Sequence, residues 1–397
     1  MRIAYVHYLQ AGDTALNHVR QFVSAAEALG HEIHAFPLNS SPGPGASPDS
    51  RSAISTRVSD FLKQHFRFYL HEPKQLLLNL PHILRLRRSL EECEPDVLLL
   101  RTHLLTFSPL LAGRSLGLPL VLEINAPVLE KKTYGGHYLR LPLLPEAVER
   151  WNCRHADMIT TVSSTLADYL RSTHELPGSK VIVVPNGADL ELFGAHVAAD
   201  RELSEEIPDD SPVVGFVGSF HKWHGPEILA DMILRVSRSR PEVFFLIVGD
   251  GPGRQEVLDK VGSLGPRVVF MGSVPHARVP GLVAAIDIGV MPESNFYGSP
   301  LKVIEWMAAG KAVVAPAYGP LTDVIEDGVD GLLFPPQDTD ALVAAVVRLI
   351  DDPEYRKTVG GQAATRVATT LTWRHNAARV MEACQHAVEL QRSRDEG

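Results

Sequence analysis

Lys302 and Glu305 stand three residues apart inside the segment Tyr297-Gly298-Ser299-Pro300-Leu301-Lys302-Val303-Ile304-Glu305-Trp306-Met307-Ala308-Ala309-Gly310-Lys311. The apolar run Ile286–Val290 precedes it and Ala312–Ala315 follows it, so the segment reads as a loop entering a short helix between two strands. Ser299 has the residue type of an N-cap, and Pro300 that of a first helical residue, where a missing N–H costs nothing. A helix N-terminus at the carboxyl end of a parallel strand presents amides and the positive end of its dipole to a phosphate. Lys302 in the first turn adds an ammonium there. Glu305, on the same face, brings a carboxylate to ribose distance, where sugar hydroxyls can donate to it. That chemistry is recognition of a nucleoside diphosphate. The same spacing also describes an i,i+3 ion pair on an ordinary surface helix, and the residues alone leave both readings open.

Positioning such a site takes an α/β framework, and the chain has the pattern of two in succession. Short apolar runs alternate with amphipathic stretches, as in a parallel sheet covered by helices. Strands are expected at Ile3–His7, Glu32–Phe36, Asp96–Leu100, Leu118–Ile124, Met158–Val162 and Val181–Val184. Between the first two, Leu16, Val19, Phe22, Val23, Ala26 and Leu29 recur at helical spacing and Gly30 closes the helix. A loop rich in Ser, Pro and Gly covers Asn39–Ser50. The stretch His196–Ser211 breaks the rhythm with Glu202, Glu205, Glu206, Asp209 and Asp210 and reads as a connection between domains. A second series follows at Val213–Val217, Val243–Val248, Val268–Met271, Ile286–Val290 and Ala312–Ala315, and the chain ends in helices. Two Rossmann-like α/β domains are therefore expected: residues 1–195, joined by the terminal helix 373–392, and residues 196–372.

At 397 residues the chain exceeds one core of ordinary size and fits two. Apolar residues make up 45% and charged residues 21%, a globular composition that predicts folding along nearly the whole length. A net charge of -9 excludes a general positive field, so no nucleic-acid partner is expected. Cys93, Cys153 and Cys384 form an odd set without C-x-x-C spacing, which fits neither a disulfide framework nor a zinc site and suits a reducing cytoplasm. The opening Met1-Arg2-Ile3-Ala4-Tyr5-Val6 turns polar at His7, too soon for a signal segment. No apolar run reaches the roughly 18 residues of a membrane span. Phe61 to Arg88 interleaves Lys63, Arg67, Lys74, Arg85, Arg87 and Arg88 with Phe61, Phe66, Phe68, Tyr69 and many leucines. Such a segment either lies on anionic lipid, as a peripheral contact at the inner membrane surface, or forms two helices with a solvated basic face.

At four segments the chain resembles the family 4 retaining glycosyltransferases of the GT-B fold, the group 1 type. These are Val184-Pro185-Asn186-Gly187-Ala188-Asp189-Leu190-Glu191-Leu192-Phe193, Val217-Gly218-Ser219-Phe220-His221-Lys222-Trp223-His224-Gly225, Val248-Gly249-Asp250-Gly251-Pro252, and the segment from Ser299 to Lys311. Their order and spacing extend the resemblance over nearly the whole chain, and the helix opening at Thr372-Trp373 is similar to the crossing helix of that fold. The resemblance implies two domains facing across a cleft, an acceptor on the first, and a UDP- or GDP-linked sugar on the second, with no metal and no separate cofactor. It implies that the diphosphate meets the backbone of Ser299, Pro300 and Leu301 together with Lys302, and that Glu305 holds the ribose. The base would lie near Gly249, Asp250 and Gly251 and the loop Val274-Pro275-His276. Gly12, beside Asp13 and Thr14, stands in place of the relatives' glycine-rich turn near the donor phosphates.

The chain departs from the family pattern in three places. Ser219 and His224 stand where many members carry arginine and lysine, and Lys222 either supplies the missing charge or faces solvent. Tyr297 stands where the first of two glutamates eight residues apart usually contacts the donor sugar, while Glu293 is nearby but out of register. Asn125, in Glu123-Ile124-Asn125-Ala126-Pro127, takes the place of a histidine facing the acceptor.

The implied reaction moves a sugar to a glycan, lipid or small-molecule acceptor. In the family a β-phosphate oxygen takes the acceptor's proton on the same face, while a lysine and helix amides stabilise the leaving charge. A metal-binding D-x-D would belong to another architecture, and the one candidate, Asp338-Thr339-Asp340, opens a helix and is read as its cap. His7, Arg101, His103, Asn125 and Ser163 end expected strands, where open sheets place ligands, and are candidates for an acceptor cleft. His137, in Tyr134-Gly135-Gly136-His137, is a further one, and ordinary loop hydrogen bonding is the alternative for each. A sugar-nucleotide epimerase or hydrolase would instead need acid–base carboxylates facing the sugar, for which Glu123 is the candidate. A non-catalytic nucleotide-sugar-binding protein would need neither.

Overall fold

The run Val97–Leu100 is buried at every position, as a strand covered on both faces must be. In the computed structural model, which describes residues 1–9, 15–38, 75–128, 143–200, 207–208 and 211–396, that run lies inside a fully parallel sheet. Its strands are β1 (Arg2–His7), β2 (Glu32–Pro37), β3 (Val97–Arg101), β4 (Leu120–Ile124), β5 (Met158–Thr161) and β6 (Val181–Val183), in the spatial order β2-β1-β3-β4-β5-β6. A second parallel sheet consists of β7 (Val213–Val217), β8 (Phe244–Val248), β9 (Val268–Gly272), β10 (Ile288–Val290), β11 (Ala312–Pro316) and β12 (Leu332–Phe334), in the order β12-β11-β10-β7-β8-β9.

These sheets are the centres of two compact units. Met1–Val162, Leu166–Val184 and Ala377–Gly397 make the first, and Ser163–Thr165 and Pro185–Asn376 make the second. The terminal helix Trp373–Asp395 starts in the second unit and gives Ala377, Val380, Met381, Cys384 and Ala387 to the core of the first. Helix Ala15–Ala28 covers that core with Val19, Phe22 and Ala26, and Gly30 ends it at φ +86°, a conformation that favours glycine. In the second unit, helices Pro226–Ser239 and Thr339–Asp351 bury Leu229, Ile233, Val236, Leu342 and Val346 against β7, β8 and β11. Asp338 caps the latter helix by accepting from the Ala341 amide at 2.9 Å, which is the capping reading of the D-x-D.

Several strand bounds change in detail, as at β4, which opens at Leu120 rather than Leu118. Strand β10 opens at Ile288 rather than Ile286, because the Asp287 carboxylate accepts from the Val213 amide at 2.8 Å and turns the chain into the strand. Strand β12 was not expected at all. Its three residues, paired in register Val314↔Leu332 with β11, are too few to show a period.

Candidate active site

In the second sheet β7 lies between β10 and β8, so the loops leaving the carboxyl ends of these three strands are neighbours. The loop after β7 runs from Gly218 to Gly225, and that after β8 carries Gly249, Asp250 and Gly251. The two are tied by backbone hydrogen bonds from Gly218 to Val248 (2.9 Å) and from Phe220 to Asp250 (3.1 Å). Gly249 sits at φ +125°, and a Cβ there would stand 1.9 Å from the Gly218 carbonyl oxygen. The Gly-x-Gly of this loop is therefore required by the close approach of two chain segments. Next to β8, the end of β9 leads through Val274 to Pro275, which precedes the turn His276–Arg278.

The loop after β10 enters helix Leu301–Ala308, with a correction at its start. Pro300, not Ser299, occupies the N-cap position, and no side chain caps the helix. Ser299 precedes a proline and is biased away from helical geometry; its hydroxyl instead accepts from the Asn186 amide at 3.2 Å. The Leu301 amide donates to the Ser299 carbonyl at 3.0 Å and Pro300 has no N–H, so the Leu301 amide is already engaged within the chain.

Lys302 leaves this helix toward the β7 loop. Its ammonium lies 3.2 Å from His224 Nε2 and 5.4 Å from the Phe216 ring centroid, and a Cβ on Gly218 would come within 2.3 Å of it. A surface i,i+3 ion pair with Glu305 is not what forms: the ammonium turns to the imidazole. An ammonium only donates, so Nε2 accepts, and Nδ1 carries the proton it gives to the Ser219 carbonyl at 2.5 Å. Burial, reinforced by the Lys302 charge, holds His224 down at about 4 and hence neutral. Burial also brings Lys302 down to about 8 against the pull of Glu305. It pushes the Glu305 carboxyl up to about 8 against Lys302. Lys222, the other candidate cation, is exposed at the start of the turn Lys222–His224.

Tyr297 is buried, and the loop around it is built by Asn295, whose side-chain oxygen accepts from the Tyr297 (3.3 Å) and Gly298 (2.7 Å) amides. Ser163, which belongs to the second unit, donates its hydroxyl to the Tyr297 carbonyl at 2.6 Å. Glu293 is buried beside Gly225, where an added Cβ would stand 2.7 Å from the glutamate Cβ, and its carboxylate accepts from the Ser294 amide. Sequence reasoning missed Phe216 beneath the ammonium and Asn186 behind Ser299. Asn186 lay in a segment already singled out, but neither residue carries a signal without its partner.

The first unit has its own polar cluster at the carboxyl ends of β1, β3 and β4. The Glu123 carboxylate accepts from the Tyr5 hydroxyl (2.5 Å), from Arg101 (2.9 Å) and from the Asn125 amide (2.6 Å). Three donors occupy it, which does not suit the free acid–base group that an epimerase or hydrolase needs. A cavity beside it is lined by Arg101, His103, Asn125, Pro127, Glu149 and Asn152. The His103 ring stacks on Tyr8 with centroids 5.0 Å apart. Burial lowers the His7 imidazole, and brings His18 to about 4, with Arg101 adding to both effects. Gly12 to Thr14, residues 61–74 of the basic segment and His137 lie outside the described residues.

Two parallel six-stranded sheets, each covered by helices, define the α/β class of GT-B proteins. The comparisons agree over both units. Residues 15–192 match the model of Glycosyltransferase Family 4, and residues 211–352 match that of Glycosyl transferases group 1. The chain belongs to this glycosyltransferase family. It is 29% identical over 267 residues to the alpha-D-kanosaminyltransferase of Streptomyces kanamyceticus, covering 65% of this chain and 68% of that one. It is 31% identical over 285 residues to the 2-deoxystreptamine N-acetyl-D-glucosaminyltransferase of Streptomyces fradiae, covering 70% and 66%. The aligned stretches thus span about two thirds of these relatives. Among solved structures, the sucrose-phosphate synthase of Thermosynechococcus elongatus shares the fold at a TM-score of 0.71 and 21% identity, covering 96% of this chain and 97% of that one. Anabaena HepE in complex with UDP does so at 0.68 and 18%, covering 96% and 99%.

Proposed function

We propose that the chain transfers a glycosyl group from a nucleotide-diphosphate sugar held by the second unit to a hydroxyl of an acceptor held by the first, with retention and without a metal. The observation that carries this reading is the Lys302 ammonium set between Gly218 and His224, on the same helix as Glu305. In the reaction the bond from the anomeric carbon to the β-phosphate oxygen breaks, and that carbon joins the acceptor oxygen on the same face. The acceptor's proton passes to a β-phosphate oxygen, and the products are the glycoside and a nucleoside diphosphate. Negative charge grows on the leaving diphosphate, so an ammonium aimed at it lowers the barrier selectively. Glu305 takes the ribose hydroxyls, and the base lies near Gly249 to Gly251 and Val274-Pro275.

UDP is the nucleotide to test first, because Anabaena HepE was solved with it, and GDP is the second. A polyhydroxylated small molecule is the acceptor class favoured by the Arg101, His103 and Asn125 side chains within the mixed polar and apolar lining of the first unit's cavity, and by the aminocyclitol in the name of the Streptomyces fradiae relative. A cytoplasmic protein touching anionic lipid through the helical stretch 75–93 completes the reading. That stretch exposes Leu77, Leu80 and Leu84 beside Arg85, Arg87 and Arg88, while no described helix is long and apolar enough to cross a membrane. Incubation with UDP- and GDP-sugars and polyol acceptors in the presence of a chelator tests the core of this. Release of nucleoside diphosphate with a glycoside of retained anomeric configuration is expected. Isomerised sugar nucleotide, or binding without turnover, overturns it.

A further inference from the structure

Lys302 and His224 are 78 positions apart in sequence and come from different elements, the Leu301–Ala308 helix and the loop after β7. A lysine side chain is long and rotatable, and an ammonium that is to meet a phosphate at a fixed point must be held. Three features do that here. Gly218 leaves the volume the ammonium occupies, the Phe216 ring faces it, and His224 Nε2 accepts from it at 3.2 Å. His224 is itself held. Its Nδ1 meets the Ser219 carbonyl at 2.5 Å and the Ser219 hydroxyl at 3.2 Å, and its ring lies edge-on to Phe216 and Trp223 with centroids 6.4 and 6.1 Å away. A lysine or arginine at 224 would set a second cation against Lys302; a neutral imidazole sets a lone pair there instead.

We propose that His224 is a positioning residue which, through its Nε2 lone pair, fixes the Lys302 ammonium over Gly218, so that one cation held jointly by helix and loop serves in place of a basic pair on the loop. The proposal rests on the reading of Lys302 as the cation that receives the donor diphosphate. A neutral His224 is an acceptor throughout the physiological range, and the ammonium keeps its remaining protons for phosphate oxygens.

Calorimetric titration of the full chain with UDP and with uridine, repeated with GDP and guanosine, separates the diphosphate's contribution from that of the base. His224→Met removes the acceptor and is expected to weaken diphosphate binding about tenfold while leaving nucleoside binding as in the wild type. His224→Gln, whose side-chain carbonyl reaches the place of Nε2, recovers most of that loss. Gly218→Ala displaces the ammonium without touching His224 and reproduces the loss, which covers a His224→Met chain that does not fold. Equal loss for diphosphate and nucleoside in His224→Met assigns the residue a merely structural role and overturns the proposal. An unchanged diphosphate-to-nucleoside ratio in His224→Met, with the ratio lost in Lys302→Met, overturns the proposal alone. A ratio kept in Lys302→Met, or a wild type that binds neither diphosphate, overturns the reading of the site together with it.

Discussion

Arg101 and Glu123 are register partners on the adjacent parallel strands β3 and β4, and their charged ends meet at 2.9 Å with only 14% and 19% of the side chains exposed. The same carboxylate takes the Tyr5 hydroxyl and the Asn125 amide, so one glutamate ties three strand ends together. Removing one partner of a buried pair leaves the other charge uncompensated. Glu123→Ala is expected to cost roughly 3–5 kcal/mol. Tyr5→Phe, which leaves the carboxylate two donors, costs about 1 kcal/mol. Urea unfolding measures both, and a Glu123→Ala midpoint equal to that of the wild type refutes the ordering.

Asn125 donates from its amide nitrogen to Glu123 and lines the cavity proposed for the acceptor, so its carbonyl oxygen is the group assigned to accept from a hydroxyl there. Asn125→Leu should therefore raise the acceptor KM about tenfold, the effect of one lost hydrogen bond together with its unpaired partner. UDP affinity should stay the same. Steady-state kinetics at saturating donor, with a parallel UDP titration, decides it, and a change confined to UDP binding would move Asn125 out of the acceptor site.

Much of this was legible in the residues because parallel strands buried on both faces are continuous apolar runs. Val97–Leu100 and Val213–Val217 announce themselves, and so does the helix after Pro300. Leu332–Phe334 did not, because three residues hold no period. Lys302 and Glu305 were visible as chemistry. What Lys302 touches was not, since its partner lies 78 positions away and is a histidine where a cation was sought. Ser299 misled for a local reason: it is a good capping type, but it precedes a proline and finds the Asn186 amide instead.

Lys302 is the cation that the proposed reaction asks to face the leaving diphosphate. Lys302→Ala should lower turnover by about a hundredfold or more, the scale of losing one oxyanion donor. The measurement is nucleoside diphosphate release under saturating donor. Full activity in this variant takes Lys302 out of the mechanism.

The two buried groups of this helix titrate with opposite signs. Glu305 holds its proton more tightly when folded, at about 8 against an ordinary 4.5, because burial disfavours the carboxylate. Its contribution to stability is complete below 4.5 and is lost as pH rises through 8. Lys302 has a folded value of about 8 against an ordinary 10.5, so above 8 the unfolded chain binds the extra proton and stability is regained toward 10.5. The ligand-free protein should pass through a local minimum of stability near pH 8. Thermal unfolding across pH 5 to 10, compared with the Lys302→Met/Glu305→Gln double variant, tests this, and parallel profiles for the two proteins contradict it.

Gly218 and Gly249 touch each other, yet they should fail in different ways. An alanine at 249 would need φ +125° and would drive its Cβ to 1.9 Å from the rigid Gly218 carbonyl. The backbone conformation alone costs about 1–3 kcal/mol, and the clash adds to it. Gly249→Ala should accordingly lower the melting temperature with or without nucleotide. An alanine at 218 meets the far end of a flexible lysine at 2.3 Å, and the side chain can swing away while the fold stands. Gly218→Ala should therefore keep a ligand-free melting temperature closer to that of the wild type than Gly249→Ala does, and yet show a smaller UDP shift, since a tenfold weaker affinity removes about 1.4 kcal/mol of the stabilisation that UDP gives. Thermal shifts of both variants with and without UDP distinguish the cases. If Gly218→Ala keeps the full UDP shift, the ammonium is not where the phosphates bind, whatever becomes of Gly249.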